Sequence, residues 1–414
     1  MELVRISTAG SVDDGKSTLI GRLMLDNDAL TIEQHELIAK RTKEKGMSDL
    51  DLSVLTDGLI AEREQGITID VAHIYFSTED RKFIILDSPG HIEYTRNMVT
   101  GASNSDISII LIDARKGLQE QSFRHFYISQ LLQIPKVIFC VNKMDLVEYD
   151  EDVFLKIAIE IKAMVDRTGQ KIDYSIIPIS SLKGDNVVIA SNNMDWYTGT
   201  TLDSKLKKAP QHLHVVTPFR FEVQQVIHHQ SSEFTDFRGF AGKVISGKVS
   251  VGDTVKVLPA NRITRVKEIR KYTELLNEAK INDSIILTLE DEIDGSRGSV
   301  FTCVENEPST TQTINATLVW MNEQKGIEGN RYLLKNGARE IACKLTSINE
   351  LINPVNLDST KSEGRISLNE IAHSEIKLSK AGFLDPYNAN KLNGHFILIN
   401  EQSNATVALG FVRN

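Results

Sequence analysis

The chain has 414 residues and a formal charge of −9, from 47 Lys and Arg against 56 Asp and Glu. With 41% hydrophobic and 25% charged residues it has the composition of a soluble globular protein, long enough for about three domains at roughly 150 residues each. These values exclude a disordered or fibrous chain, and the acidic balance argues against a dedicated nucleic-acid binder, so no nucleic-acid partner is expected. The longest unbroken apolar run, Val137 to Val141, is far below the ~18 residues of a membrane span, and the start Met1-Glu2-Leu3-Val4-Arg5 lacks an apolar signal region. No membrane association is expected, and the expected location is cytoplasmic. Cys140, Cys303 and Cys343 include no CxxC pair and support neither a disulfide framework nor a zinc site.

In chain order, apolar runs predict strands at Leu3–Thr8, His73–Phe76, Lys82–Leu86, Ile107–Asp113, Lys136–Val141 and Ser175–Ile179. Helix-like spacing falls between them at Ser17–Leu25, Glu93–Ala102, Gln119–Leu132 and Asp152–Thr168. This alternation predicts a doubly wound α/β domain with a phosphate loop after its first strand. From Ser191 to Pro218 the pattern is broken by Asn, Thr, Lys and Pro, which predicts a linker. Beyond it Phe221/Val223 and Val255/Val257 alternate with polar neighbours and Gly252-Asp253 marks a hairpin, predicting an antiparallel barrel from Val216 to about Cys303. A second all-β unit is predicted from Glu305 to Asn414, with strands near Thr313–Met321, Glu340–Ile348 and Gly394–Ile399. The expected domains are thus 1–212, containing the nucleotide site and the linker, then barrels at 213–304 and 305–414.

The run Gly10-Ser11-Val12-Asp13-Asp14-Gly15-Lys16-Ser17 matches the phosphate-loop pattern GxxxxGK[ST] and stands between a predicted strand and a predicted helix, the context that supports it. Its glycines let backbone N–H groups turn toward a phosphate, Lys16 reaches the β and γ phosphates, and Ser17 can ligate Mg²⁺. Gly10 through Thr18 are therefore expected nucleotide contacts. Gly242-Lys243 and Gly247-Lys248 are each followed by Val, so there is no second GK[ST]. Asp87-Ser88-Pro89-Gly90 closes the third strand, where Asp87 can hold a Mg²⁺-bound water and the Gly90 N–H can meet the γ-phosphate. Asn142-Lys143-Met144-Asp145 closes the fifth, and a carboxylate there selects guanine by accepting from N1–H and the exocyclic amino group. Adenine, with an acceptor at N1 and no amino group beside it, is rejected. Ser180-Ser181-Leu182, after the sixth strand, is placed to offer backbone N–H groups to the guanine O6. Thr68, within Glu62–Asp70, is either a second Mg²⁺ ligand or a β-branched strand entry. His91 is either the residue that orients an attacking water or a polar surface residue at a helix start.

Taken together these motifs resemble the translation-factor class of GTPases, the group of elongation factor Tu, in which DxPGH and GITI recur. Within that class the wording is most similar to the large, GTP-binding subunit of bacterial sulfate adenylyltransferase. The matching runs are GSVDDGKSTLIGRL (10–23), DGLIAEREQGITIDVAHIYFST (57–78), DSPGHIEYTRNMVTGAS (87–103), WYTGTTL (196–202), FRGFAG (237–242) and LTLEDEID (287–294). In the last barrel Asn393-Gly394-His395-Phe396 stands where that family has TGSF. The resemblance implies an α/β P-loop GTPase domain followed by two antiparallel β-barrels, binding GTP and Mg²⁺ and paired with a smaller catalytic chain of the PP-loop type. That partner would make adenylyl sulfate from ATP and sulfate, and GTP hydrolysis would drive the reaction. By position, Val12 and Ile67 would gate His91 as the catalytic residue, and Ser17 and Thr68 would ligate Mg²⁺. The absence of SGGxDS and HxGH runs agrees with a division of labour, and the end at residue 414 implies that no adenylyl-sulfate kinase domain is attached. The rival reading is a translational GTPase that carries aminoacyl-tRNA.

Overall fold

The computed structural model describes residues 2–44, 50–55, 72–78, 81–87, 99, 102, 104–169, 171–209, 217–229 and 237–414. The chain divides into two compact units, residues 1–213 with 354–357, and residues 214–353 with 358–414.

The first unit is built on a six-stranded sheet: β1 (Glu2–Ala9), β2 (Ala72–Ser77), β3 (Arg81–Asp87), β4 (Ile107–Asp113), β5 (Lys136–Asn142) and β6 (Asp173–Pro178), in the order β2-β3-β1-β4-β5-β6. Every residue of β4 is buried, as a strand covered on both faces requires. The β1–β3 register pairs Leu3 with Lys82 and Thr8 with Asp87, and the β4–β5 register pairs Asp113 with Asn142. β1 and β3 thus end together, as do β4 and β5, which run three residues past Ala9 because Ala9 pairs with Ile110; ligands of doubly wound sheets bind beyond such strand ends. β2 is the exception in an otherwise parallel sheet: it runs antiparallel to β3 at the edge. The connection from Ser77 to Arg81 is far too short for a parallel crossover, which needs a dozen or more residues.

Five α-helices are described in this unit: α1 (Lys16–Asp26), α2 (Ile32–Glu44), α3 (Glu120–Leu131), α4 (Glu151–Asp166) and α5 (Leu202–Lys207). Leu19, Ile20 and Leu23 of α1 pack on Val4, Ile6, Phe83 and Ile109 of the sheet, and this burial fixes the phosphate loop above β1. α4 buries Phe154, Ile157, Ile161 and Met164 and is capped by Asp150, whose carboxylate accepts from Val153 N–H at 3.0 Å.

Two segments depart from the sequence expectation. α2 is absent from it, because Ile38 alone of its residues is buried and no apolar stripe marks it. Its start was nonetheless written as a capping box, in which Thr31 and Gln34 exchange hydrogen bonds of 2.9 and 3.3 Å. The expected linker begins too early, since α5 lies within it. Thr201 caps α5, and Leu202, Leu206 and Ala209 join the core of the first unit. Of the predicted helix Glu93–Ala102, only Val99 and Ala102 are described.

The second unit holds two antiparallel barrels. In one, the ring runs Thr254–Leu258, Val300–Cys303, Arg220–His229, Phe237–Ser246, Ser284–Leu289 and Arg262–Lys271, which pairs back to the first strand. In the other it runs Arg331–Asn336, His395–Ile399, Thr406–Val412, Ser309–Trp320, Ile371–Leu384 and Arg339–Ile352, again closing on its first strand. Closure leaves neither ring with an open edge. Phe221, Phe240 and Phe301 fill the first barrel, and Trp320, Tyr332 and Phe396 the second. The fold is thus a doubly wound α/β domain followed by two antiparallel β-barrels.

Candidate nucleotide site

The loop Gly10–Gly15 turns off the end of β1. Gly15 immediately precedes α1 with φ 93°, and a Cβ there would stand 2.5 Å from Asn142 Nδ2, so both backbone and space require glycine. Asp13 also takes a left-handed conformation, with φ 67°. The Asp14 carboxylate folds back to accept from Ser11 N–H at 2.6 Å, and burial raises its pKa. Lys16 is buried, with Nζ donating to Gly10 O at 2.9 Å and Ser11 O at 3.1 Å. Burial lowers its pKa, and the charges of Asp87, Asp14 and Asp13 oppose that shift. An ammonium whose hydrogen bonds among the described residues go to loop carbonyls in a desolvated place gains from a phosphate charge beside it, and the α1 N-terminus adds its own dipole and free N–H groups. Ser17 and Thr18 open the helix there, and Val12 is half-buried in the loop.

At the end of β3, Thr8 Oγ1 donates to Asp87 Oδ1 at 2.9 Å, and both residues are fully buried. Asp87 carboxylate and Ser17 hydroxyl are hard oxygen donors of the kind Mg²⁺ takes, and Asp87 lies close enough to Lys16 to shift its pKa. Gly90, His91, Ile67 and Thr68 lie outside the described residues.

The base-selecting motifs converge from β5 and β6. Asn142 acts as a bridge: its Nδ2 donates to Asp14 O at 2.7 Å, while its Oδ1 accepts from Ser181 N–H at 2.9 Å and Ser181 Oγ at 2.8 Å. Lys143, in a left-handed conformation, donates from Nζ to Asp13 O and to Asp113 Oδ2, the latter at 2.9 Å. Met144 is fully buried, and its N–H donates to Ile179 O at 3.2 Å. Asp145 is half-buried and accepts from Ser180 Oγ at 2.6 Å. Phosphate loop, β5 end and β6 loop are therefore one hydrogen-bonded assembly. Within the β6 loop Ser180 N–H donates to Asp185 O, Ser181 N–H to Asn142 Oδ1 and Gly184 N–H to Ser180 O. Lys183 N–H donates to Ser180 Oγ at 3.1 Å, so from Ser180 to Gly184 Leu182 N–H is the described donor with no partner in the protein.

Asp113 belongs to this assembly and was not singled out by sequence, although its place level with Asn142 at a strand end was a signal. Burial disfavours its charge, but hydrogen bonds from Arg115 and Lys143 outweigh burial and hold the carboxyl well below the usual range. A depressed folded pKa contributes stability that is complete above the unfolded value near ~3.9 and is lost as pH falls through the folded value. Asp113→Asn is therefore expected to lower stability by about 2 kcal/mol at pH 7. In urea unfolding followed by circular dichroism the deficit should shrink as pH falls below ~4. A deficit constant from pH 7 to pH 3 would refute the assignment.

Among the described residues no helix is long and apolar enough to cross a membrane. Residues 1–276 match the family model of the elongation factor Tu GTP-binding domain, and residues 313–413 match the C-terminal domain-like model of GTP-eEF1A. Over 415 residues the chain is 43% identical to sulfate adenylyltransferase subunit 1 of Shewanella woodyi, covering 100% of this chain and 87% of that protein. It is 44% identical to the subunit 1 of Psychromonas ingrahamii, covering 99% and 87%, and 43% identical to that of Aliarcobacter butzleri, covering 100% and 88%. With its phosphate loop, its NKMD turn and such relatives along its whole length, the chain belongs to the sulfate adenylyltransferase subunit 1 family, whose nucleotide domain is that of elongation factor Tu.

Proposed function

We propose that this chain is the GTP-hydrolysing subunit of a two-part sulfate adenylyltransferase in the cytoplasm, coupling GTP hydrolysis to adenylyl sulfate synthesis from ATP and sulfate. The observation that carries this reading is the Asp14–Asn142–Ser181 bridge with Asp145 beside it, a guanine-nucleotide site on a chain of this family. The name subunit 1 implies a partner, and we assign the adenylylation chemistry to a smaller catalytic chain of the PP-loop type, since no SGGxDS or HxGH run occurs here. Lys16 and the N–H groups of Gly10–Thr18 hold the phosphates. Asp145 and the 180–182 loop select guanine. Ser17, Asp87 and Thr68 hold Mg²⁺, which neutralises phosphate charge when bound. His91 orients the attacking water, with Val12 and Ile67 shielding it.

GTP can raise the partner's yield only if the two nucleotide states bind the partner differently. The segment that reports the γ-phosphate is Glu62–Asp70, through Thr68. Thr68→Ala is therefore expected to retain GDP binding and abolish the dependence of yield on GTP, leaving the partner's slow activity. Radiolabelled sulfate, ATP and purified partner, with and without GTP, provide the assay. Equal yields for the wild-type pair with and without GTP would defeat the coupling, and GTP binding that depends on aminoacyl-tRNA would assign the chain to translation instead.

A further inference from the structure

Arg22 lies one turn and a half into α1, facing the β6 loop and not the solvent, and its side chain is 14% exposed. Its Nε donates to Ser181 O at 3.3 Å, its Nη2 donates to Leu182 O, and its Nη1 meets Asp26 Oδ1 at 3.2 Å. The planar guanidinium thus spans two successive carbonyls while Asp26 holds its remaining edge. The contact leaves little room, and the chain makes room for it at Gly184. There φ is 88° and a Cβ would stand 3.3 Å from Asp26 Oδ2 and 3.5 Å from Arg22 Cδ.

In a planar trans peptide the C=O of one residue and the N–H of the next point in opposite directions. Holding Ser181 O toward α1 therefore turns Leu182 N–H away from α1. Among the described residues from Ser180 to Gly184, that N–H is the donor without a partner in the protein, the others being held by Asp185 O, Asn142 Oδ1, Ser180 Oγ and Ser180 O. The opposite flank of the loop is anchored independently. Asp185 Oδ2 accepts from Tyr149 OH at 3.0 Å and Asp185 Oδ1 from Ser191 Oγ at 2.6 Å, with Asn193 Nδ2 at 3.2 Å. Tyr149 lies four residues after Asp145 and its N–H donates to Met144 O at 2.8 Å, so this anchor ties the loop to the NKMD turn, whereas Arg22 ties it to the helix behind the phosphate loop.

We propose that Arg22 is a positioning residue for guanine recognition, fixing the Ser181–Leu182 peptide plane so that Leu182 N–H is aimed at the 6-oxo group of the base. The inference rests on the guanine site assigned above and adds to it a residue outside every nucleotide motif. It also gives the phosphate-loop helix a direct hold on base selection.

The test compares GDP with 6-thio-GDP, which keeps N1–H and the 2-amino group but replaces the 6-oxo acceptor by sulfur, a weaker one. Wild type should prefer GDP. Arg22→Gln should weaken GDP about tenfold, the size of one hydrogen bond, and 6-thio-GDP far less, so that the preference nearly disappears. A general loosening of the fold would weaken both ligands alike, and a parallel loss would overturn the proposal. Arg22→Lys, a milder change that retains one charged donor, should give an intermediate ratio, and an unchanged ratio in both variants would also overturn it. Asp145→Asn, measured with GTP and XTP, separates the two readings. Failure to exchange GTP for XTP would remove the base site itself, and Arg22 with it. Successful exchange with an unaltered GDP to 6-thio-GDP ratio in the Arg22 variants would remove Arg22 alone.

Discussion

Asp385→Ala is expected to destabilise the two-barrel unit by about 3–5 kcal/mol, because it leaves a fully buried guanidinium without its counter-charge. Arg220, at the start of a strand of the first barrel, is 0% exposed and makes a bidentate pair with Asp385 of the second, Nε to Oδ2 at 3.1 Å and Nη2 to Oδ1 at 2.9 Å. Its Nη1 donates to Thr302 Oγ1 and Asn306 O, each at 2.7 Å. Asp385 in turn accepts from Asn393 Nδ2 at 2.8 Å and Asn390 Nδ2 at 3.1 Å. The network continues through Arg339, which donates to Asn393 Oδ1 at 2.6 Å and to Phe383 O at 2.6 Å and lies 3.6 Å from Glu222. Two cations and two anions thus share one buried space between the barrels, and removal of either Arg220 or Asp385 breaks its one bidentate pair.

The two single changes are not equivalent. Arg220→Ala leaves Asp385 with its two asparagine donors, whereas Asp385→Ala removes the acceptor of both Arg220 Nε and Nη2 and leaves only the Nη1 bonds, so Asp385→Ala should be the costlier. Urea unfolding followed by tryptophan fluorescence reads the difference, Trp320 being buried in the second barrel. A midpoint shift worth less than about 1 kcal/mol for Asp385→Ala would show that the pair is dispensable.

That network bears on how much could be read from sequence. The phosphate loop, NKMD and the 180–182 loop were legible because each is a short run whose chemistry depends on near neighbours and whose place at a strand end follows from apolar periodicity. Arg220 and Asp385 are 165 residues apart, and nothing local distinguishes Arg220 from a surface arginine on an alternating strand. The departure from TGSF at Asn393–Phe396 was visible, but its meaning was not. Asn393 is fully buried, bridging Asp385 and Arg339, and Gly394 lies where a Cβ would come 2.5 Å from Tyr387 Cα. Arg22 was hidden for the same reason as Arg220, since on α1 it reads as an ordinary helical cation until the β6 loop is seen above it. α2 and α5 failed differently. One has too little buried surface to leave a stripe, and the other is too short for its two leucines to outweigh the polar residues around them.

Asp145→Asn is expected to exchange GTP for XTP. Guanine offers N1–H and a 2-amino group to a carboxylate, and an asparagine in that place accepts one and opposes the other with its own amide hydrogens. Two hydrogen bonds to a charged group, at about 1.5–3 kcal/mol each, set the loss of GTP affinity at on the order of 10²–10⁴-fold. Xanthine carries an oxo group at the 2 position, which can accept from the new amide. Ser180 makes the exchange clean. Its hydroxyl donates to Asp145 Oδ1 at 2.6 Å, so an asparagine there keeps its oxygen toward Ser180 and turns its NH₂ to the base. Asn142 and Ser181 hold the surrounding loops and are untouched by the change. Ser180→Ala in the Asp145→Asn background should accordingly weaken XTP again, because nothing then fixes the amide. Titration of wild type, single and double variants with both nucleotides measures these affinities. Unchanged GTP affinity in Asp145→Asn would remove Asp145 from the base site, and equal XTP affinity in the single and double variants would remove Ser180 from its positioning role.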